Sequence, residues 1–346
     1  VQVTGGSEYE SKHGYYDVCP WSPDGSMLAF ASARPEDLTG TFRDNVCTNR
    51  GRVCVMDTNT GEIHIVAQDV FYASHTGAWP MWRSASTLSF WSGENQTSIV
   101  DLTTGEITQA IGLRQISADG RWGISHGGSD RPDDVDVVDV STGASTCVAT
   151  KQQLYELTPN RDQFALADMT VGNMKWSPDA SCILVAMWVK PRPSVRRSLY
   201  IVDREGGSRQ WLTHMAHHHS WTPDGQAVLF NDHTEWDESG RGLALRMHLV
   251  DADGDNRRVA IDDPLGSHPL MSPDGRTIGD SDRTGVFRVH IDERRVEWLA
   301  RFSRTFKQSH RDTHPHCVFS PDGSQLLYNS AETGRSELYL IDLAAS

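Results

Sequence analysis

Short apolar segments alternate with one recurring turn motif along the whole chain. In its fullest form the motif is Trp21–Gly25 (Trp-Ser-Pro-Asp-Gly), followed by the apolar run Met27–Phe30. Proline presets the first corner of a tight turn and Asp-Gly tolerates positive φ, so each copy predicts a β-hairpin. Seven copies begin at Trp21, Trp82, Ser117, Trp176, Trp221, Met271 and Phe319, and the one at Trp82 is degenerate.

Most copies are followed by a third apolar segment that ends in Asp, such as Leu199–Asp203. A second turn comes next, as in Thr103–Glu106, and then a fourth segment. Seven units of four antiparallel strands predict an all-β fold, a seven-bladed β-propeller that forms a single domain over residues 1–346. Wider spacing between copies predicts insertions near residues 33–50 and 150–172.

The last unit reaches the final residue just after its third strand. We expect Val1–Thr4 to supply the missing fourth strand beside Leu338–Asp342 and so close the ring. Closure of this kind removes an exposed sheet edge.

The charge balance narrows the choice of partners. The chain has 32 Lys and Arg against 46 Asp and Glu, a net charge of -14, which argues against nucleic acid. No apolar run is long enough to span a membrane. An acidic protein that binds an anionic ligand must concentrate its Arg, His or metal locally.

Six cysteines allow either disulfides or buried thiols, and both alternatives stay open. Cys19, Cys47 and Cys54 all fall in the first unit, where we expect at least one disulfide to pin the insertion. This expectation accompanies a secreted or periplasmic, monomeric protein whose signal peptide has been removed. The alternative is a cytosolic protein with free thiols.

Histidines accumulate just before the turn motifs. In a propeller the strand that enters each hairpin lines the central channel, so these residues are expected to converge at one mouth. They are His75, His217, His218, His219, His268, His314 and His316, with His13 further upstream of the first copy. Pro315 breaks the ladder of the presumed strand and lets both His314 and His316 turn inward. With His268 they form a candidate three-imidazole metal site, unless each histidine only bonds within its own blade.

Two further features attract attention. Arg192, Arg196 and Arg197 form a basic cluster before a strand of the fourth unit, either as functional groups or as a solvated loop. Gly123–Gly127 matches the G-x-S-x-G nucleophile motif, but that motif requires a strand-to-helix turn that this fold lacks, so a serine hydrolase is disfavoured. Within it, His126 is a candidate for contact with the ligand cleft.

The Ser-Pro-Asp-Gly repeats resemble those of TolB-type propellers, a likeness that gives fold and not function. The His-Pro-His motif is similar to that of the propeller-fold polysaccharide lyases, namely oligogalacturonate lyases and their ulvan-lyase and rhamnose-glucuronate-lyase relatives. In oligogalacturonate lyases a Gln three residues before the first His of this motif joins the metal shell, and Arg311 stands there in this chain. The resemblance implies a divalent metal (Mn, Ca or Zn), whereas Arg311, which cannot bind a metal, could grip a substrate carboxylate directly. These lyases also carry a functional Arg in about the fourth blade.

The resulting hypothesis is a lyase that cleaves a uronic-acid-containing oligo- or polysaccharide by β-elimination. His268, His314 and His316 would bind metal or carboxylate, and Arg311 with one of the fourth-unit arginines would hold the carboxylate. The acid and base candidates are His75 and either His218 or His219, while Trp79 or Trp236 could stack on sugar. The alternatives are a non-catalytic TolB-like scaffold or sugar-binding module, and another metal-dependent hydrolase or epimerase. The sequence leaves the particular glycan open.

Overall fold

A computed structural model shows a seven-bladed β-propeller of antiparallel sheets, which confirms the predicted fold class. The structure describes residues 1–6, 8–38, 49–73, 75–93, 96–159, 161–189, 197–214, 216–236, 242–262, 266, 268–282, 284–303 and 313–343. These residues divide into two compact units, each described by itself: residues 1–113 with 272–346, and residues 114–271. The single domain over residues 1–346 stays a prediction.

The first unit contains the first, second and last sheets and most of the sixth. The strands of the first and second sheets are β1 (Glu10–Lys12), β2 (Met27–Ala33), β3 (Arg50–Asp57), β4 (Ile63–Phe71), β5 (Met81–Ser84), β6 (Thr87–Gly93), β7 (Gln96–Asp101) and β8 (Ile107–Ile111). Those of the third to fifth sheets, which belong to the second unit, are β9 (Gln115–Ile116), β10 (Trp122–His126), β11 (Val135–Asp139), β12 (Ser145–Ala149), β13 (Met169–Trp176), β14 (Cys182–Val189), β15 (Arg197–Asp203), β16 (Arg209–His214), β17 (Ala216–Trp221), β18 (Ala227–Trp236), β19 (Gly242–Asp251) and β20 (Arg258–Ile261). The last two sheets comprise β21 (Leu270–Met271), β22 (Thr277–Ser281), β23 (Gly285–His290), β24 (Arg295–Arg301), β25 (Val318–Phe319), β26 (Gln325–Ser330) and β27 (Glu337–Asp342).

The N-terminus pairs with the last sheet, as predicted. Gln2 bridges Tyr339 in antiparallel fashion, Val3 donates its N–H to the Leu338 carbonyl at 2.8 Å, and Leu340 donates to Val1 at 2.8 Å. The three strands β25–β27 thereby gain a fourth neighbour, so the sheet does not end on unpaired backbone groups at β27.

The recurring motif folds as its residues require. In the first copy the Ser22 hydroxyl donates to the Asp24 carboxylate at 2.6 Å and accepts from the Met27 N–H at 2.9 Å. Gly25 has φ 72° and donates to the Ser22 carbonyl. The hydroxyl bond holds the pKa of Asp24 below its usual value. The same bonds recur at Ser320 and Asp322, so one local turn design is repeated around the fold.

Each unit has its own apolar core, formed by side chains from neighbouring strands. Val53, Leu88 and Phe90 are fully buried in the first unit. Val185 and Tyr200 are fully buried in the second. Burying a side chain of this size contributes about 1.5–3 kcal/mol.

The predicted insertion at residues 150–172 contains helix α1 (Lys151–Leu157), which begins with a capping box between Thr150 and Gln153. The described part of the chain also contains three short 3₁₀ turns, at Pro35–Asp37, Arg161–Gln163 and Leu166–Asp168. Among the described residues, no helix is both long and apolar enough to cross a bilayer.

The predicted disulfide in the first unit is wrong. Cys19 and Cys54 are both free thiols, so no pair among Cys19, Cys47 and Cys54 is bonded, although Cys47 itself lies outside the described residues. The Cys54 sulfur is buried in β3 and lies 3.6 Å from the Ser32 hydroxyl, and burial raises the thiol pKa. Cys19 instead contacts the Trp21 carbonyl at 3.8 Å. Each thiol is satisfied locally, and sheet packing holds the blade without a cross-link.

Candidate active site

The sequence suggested a strand for the His-Pro-His segment, but in the structure this segment lies just before β25. His316 has φ 43°, in the left-handed region that non-glycine residues rarely occupy. This conformation is a bulge in the backbone just before β25. The rings of His314 and His316 have centroids 5.1 Å apart.

His75 completes a group that we call the triad: His75, His314 and His316. Its ring centroid lies 4.2 Å from that of His314 and 4.9 Å from that of His316. One nitrogen from each imidazole falls within 4.8 Å of the other two, and His316 is buried while the other two are half-buried. Sequence reasoning had assigned His75 to acid–base chemistry; in the structure it lies where a third metal ligand would.

A tight loop holds His75 in place. Ala73 and Gly77 exchange both backbone hydrogen bonds, at 2.8 and 2.9 Å. Gly77 has φ 62°, and a Cβ there would lie 2.7 Å from the Cβ of Ala31. Only glycine fits both the backbone conformation and the packing, so this residue fixes the entry of the His75 loop.

The triad suits a transition-metal ion by its chemistry. Three neutral imidazoles are typical ligands for zinc and related ions, whereas calcium prefers oxygen ligands. Nitrogens bound to one tetrahedral zinc lie about 3.3 Å apart, given bonds of about 2.0–2.1 Å. The present spacing of up to 4.8 Å would have to contract by roughly 1.5 Å at most on binding, a shift that side-chain rotation can supply. Of the three metals named from the sequence, calcium fits this donor set least well.

Aromatic side chains cover the side of the triad near Tyr15. The Tyr15 ring lies 4.6 Å from His316 and 5.6 Å from His75. It also stacks on Trp79 at 5.8 Å, and Trp79 stacks on Trp91 at 4.9 Å with an angle of 5°. The indole of Trp79, the predicted sugar platform, is thus already engaged by other rings, and its contact with sugar stays a prediction. Tyr15 and Trp91 were not predicted from the sequence. Tyr15 could have been, because it lies two residues after His13 and upstream of the first turn.

A second histidine group, here called the basic cluster, lies in the other unit: His217, His218, His268, Lys175 and Arg197. The Nδ1 atoms of His217 and His218 are 2.8 Å apart, and the rings of His218 and His268 lie 4.1 Å apart. Lys175 is buried and donates its ammonium to the His219 carbonyl. Arg197 is also buried, with its guanidinium 5.0 Å over the Trp188 ring.

Burial and nearby positive charge favour the neutral form of His218. Burial lowers the pKa of His218 well below its usual value, and the charges of His268, His217, Arg197 and Lys175 add to the effect. Burial and the Lys175 charge likewise lower the pKa of His219. The fixed positive charges therefore belong to Lys175 and Arg197, an arrangement suited to a carboxylate ligand.

His218, His268 and His316 share one position in the repeat, four residues before the turn Ser or Thr. His218 and His316 also share φ 43°. The three histidines therefore occupy equivalent positions in their blades, each at the entrance to the first strand of the hairpin.

The remaining predicted residues are only partly described. Arg192, Arg196 and Arg311 lie outside the described residues, and the Trp236 side chain does as well, although its backbone belongs to β18. His126 is half-buried at the end of β10, and burial lowers its pKa. Because residues 122–126 form a strand, the G-x-S-x-G match is not a nucleophile turn.

The fold and the triad define a β-propeller with a candidate metal centre. No protein-family model matches the chain. Over 54 residues it is 37% identical to the Tol-Pal system protein TolB of Paramagnetospirillum magneticum, a match that covers 16% of this chain and 12% of TolB.

Solved structures match over nearly the whole length. An oligogalacturonate lyase in complex with manganese superposes with a TM-score of 0.73 at 19% identity, covering 99% of this chain and 92% of the lyase. The oligogalacturonate lyase of Vibrio parahaemolyticus gives 0.73 at 14% identity, with 99% and 92% covered. Hydrazine synthase of Kuenenia stuttgartiensis gives 0.60 at 16% identity, with 97% and 98% covered. The predicted resemblance is confirmed at the level of fold, and the range of chemistries shows that the fold alone does not decide the reaction.

Proposed function

We propose that the protein is a lyase that cleaves a uronic-acid-containing glycan by β-elimination. The triad carries the proposal, because one imidazole from the His75 loop and two from the His-Pro-His segment converge within 4.8 Å. The likeness in fold to a lyase that holds manganese supports it.

The reaction sets clear demands on a site. A base removes the proton on C5 of the uronate, the freed electron pair forms the C4–C5 double bond, the C4–O bond breaks, and the departing oxygen takes up a proton. The C5 proton is only weakly acidic until the charge of the neighbouring carboxylate is neutralised. A divalent ion held by His75, His314 and His316 would supply this neutralisation.

The basic cluster of the second unit is a separate candidate site for a carboxylate. Lys175 and Arg197 provide fixed positive charge for a carboxylate. His218 and His219 stay the predicted acid and base candidates, and burial, by lowering the pKa of His218, makes it a weaker base near neutral pH. The roles predicted for Arg192, Arg196, Arg311 and Trp236 stay predictions, as do a monomeric state and a secreted or periplasmic location.

The proposal is tested by incubating purified protein with a panel of pectic, ulvan-type and rhamnose–glucuronate oligomers. β-Elimination produces an unsaturated uronate whose ultraviolet absorbance grows with time, and we expect this signal on at least one polymer. His314→Ala should abolish it. A panel that gives no absorbance with added Mn²⁺ or Zn²⁺ contradicts the proposal.

A non-catalytic TolB-like propeller is the second candidate, favoured by the 54-residue match to TolB. Such a scaffold would need no metal and would turn over no uronate. Glycan binding without product in the same panel would support a sugar-binding module instead.

A further inference from the structure

Asn329 on β26 links three parts of the first unit beneath the triad. Its side-chain amide donates to the His314 carbonyl at 2.9 Å, and its backbone N–H donates to the Pro315 carbonyl at 2.8 Å. Its side-chain oxygen accepts the backbone N–H of His13 at 3.3 Å. Asn329 is only 1% exposed, so these bonds are shielded from water.

The bonds replace a ladder that the bulge interrupts. β25 pairs with β26 only at Val318 and Phe319, in a register that would place His316 opposite Asn329. Because His316 takes φ 43°, Asn329 bonds to Pro315 instead. A left-handed non-glycine residue costs of order 1–3 kcal/mol and persists only when its surroundings hold it.

We propose that Asn329 is a positioning residue that holds the backbone of His314 and Pro315 so that both histidines of this segment face His75. The inference rests on the proposed metal-binding function of the triad. Two bonds from Asn329, one from its side chain and one from its backbone, hold the carbonyls of His314 and Pro315, where proline offers no N–H. The third bond ties the same side chain to His13. Outer contacts of this kind set the orientation of metal-binding imidazoles.

The fifth blade supplies a matched control. Asn231 occupies the same repeat position on β18, nine residues after the turn Thr, as Asn329 does after the turn Ser. It is fully buried and stands opposite the same bulge, with His217 as its partner and φ 43° at His218. Its side-chain amide forms no hydrogen bond with any residue that the structure describes. Asn231→Ala therefore removes a buried amide at an equivalent bulge without touching the triad.

The test is calorimetric titration of the untagged protein with Zn²⁺, in which the component lost in His314→Ala identifies the triad. We expect Asn329→Ala to weaken this component about 10- to 100-fold and Asn231→Ala to leave it unchanged. Asn329→Asp keeps the acceptor for His13 but loses the donor to His314, so it should weaken zinc binding as well; it also serves if the alanine variant fails to fold. Equal affinities in wild type and both Asn329 variants overturn the proposal.

A second measurement works without metal and separates this inference from the proposed function. In the metal-free protein, the ring ¹⁵N signals of His314 and His316 should shift in Asn329→Ala and not in Asn231→Ala. If wild type binds no zinc at the triad, the metal proposal fails, yet these signals still decide the role of Asn329. Unchanged His314 and His316 signals overturn the role.

Discussion

The two histidine groups are built on the same repeat position but differ in what surrounds them. His316 in the triad and His218 in the basic cluster both stand four residues before a turn, with φ 43°. His316 has Tyr15 at 4.6 Å and two further imidazoles, whereas His218 lies in the field of Lys175 and Arg197. One scaffold position therefore presents imidazole in two settings, one suited to a cation and the other to an anion.

The side chains around the histidines, rather than the histidines themselves, decide the chemistry of each group. A metal ion would be repelled by the fixed charges of Lys175 and Arg197, while a carboxylate would be attracted to them. Substitutions in the two groups test this difference, and they are given in order of decreasing expected effect.

The largest effect is expected for His314→Ala. Its ring is half-buried and contributes little to packing, but in our account it helps hold the group that neutralises the substrate carboxylate. Loss of such a group typically lowers the rate about a hundredfold or more. Initial rates of product absorbance should show this loss, with the thermal midpoint nearly unchanged. His64→Ala, which truncates an exposed histidine on β4, is the control and should retain full activity. Unfolding of His314→Ala, or elimination left intact, would mean that this histidine is structural.

A smaller effect is expected for Arg197→Gln in the basic cluster. A charge-assisted bond to a carboxylate contributes about 1.5–3 kcal/mol, so KM for a uronate should rise about tenfold or more. Arg197→Lys should recover only part of the loss, since lysine keeps the charge but not the planar fork.

Arg301→Gln is the matched control for Arg197, because Arg301 also lies over an indole, 3.1 Å from the Trp298 ring, but at the exposed end of β24. Its KM should equal that of wild type. If both substitutions raise KM alike, Arg197 has no special part in substrate binding.

The smallest effect is expected for Lys175→Met, in the loss of folding stability at acidic pH. His219 has a folded-state pKa below its unfolded value of about 6.5, so the unfolded chain binds more protons and stability falls as the pH drops below that value. Removing the Lys175 charge raises the folded pKa of His219 and narrows this window. Urea unfolding between neutral and acidic pH should therefore show a shallower loss of stability in Lys175→Met, even though the variant loses its bond to the His219 carbonyl at every pH. An unchanged slope would show that Lys175 does not act on His219.

Much of the fold followed from the sequence for a local reason. Six of the seven turn motifs carry their own hydroxyl-to-Asp bond, as at Ser22 and Asp24, so a few local residues determine each of these hairpins. The pairing of Val1–Thr4 was predictable because an incomplete last sheet needs one more strand.

The site was less predictable because its geometry depends on bulges and on tertiary contacts. A positive φ at His218 or His316 has no glycine or asparagine to announce it. The approach of His75 to His314 depends on a loop held by Gly77. Asn329 bonds to His314 and to His13, and His13 is 316 residues away from it in the chain. The sequence identified the histidines but not their grouping. The disulfide prediction failed because cysteine spacing says nothing about which thiols face each other.

Zinc titration of untagged wild type, His75→Ala and His268→Ala tests the central claim most directly, because it decides which histidines form the metal centre. The sequence favoured His268 with His314 and His316, while the structure groups His75 with them. Our account predicts that wild type binds zinc, that His75→Ala loses most of this affinity, and that His268→Ala keeps it. Zinc binding that survives in His75→Ala and disappears in His268→Ala would contradict the account.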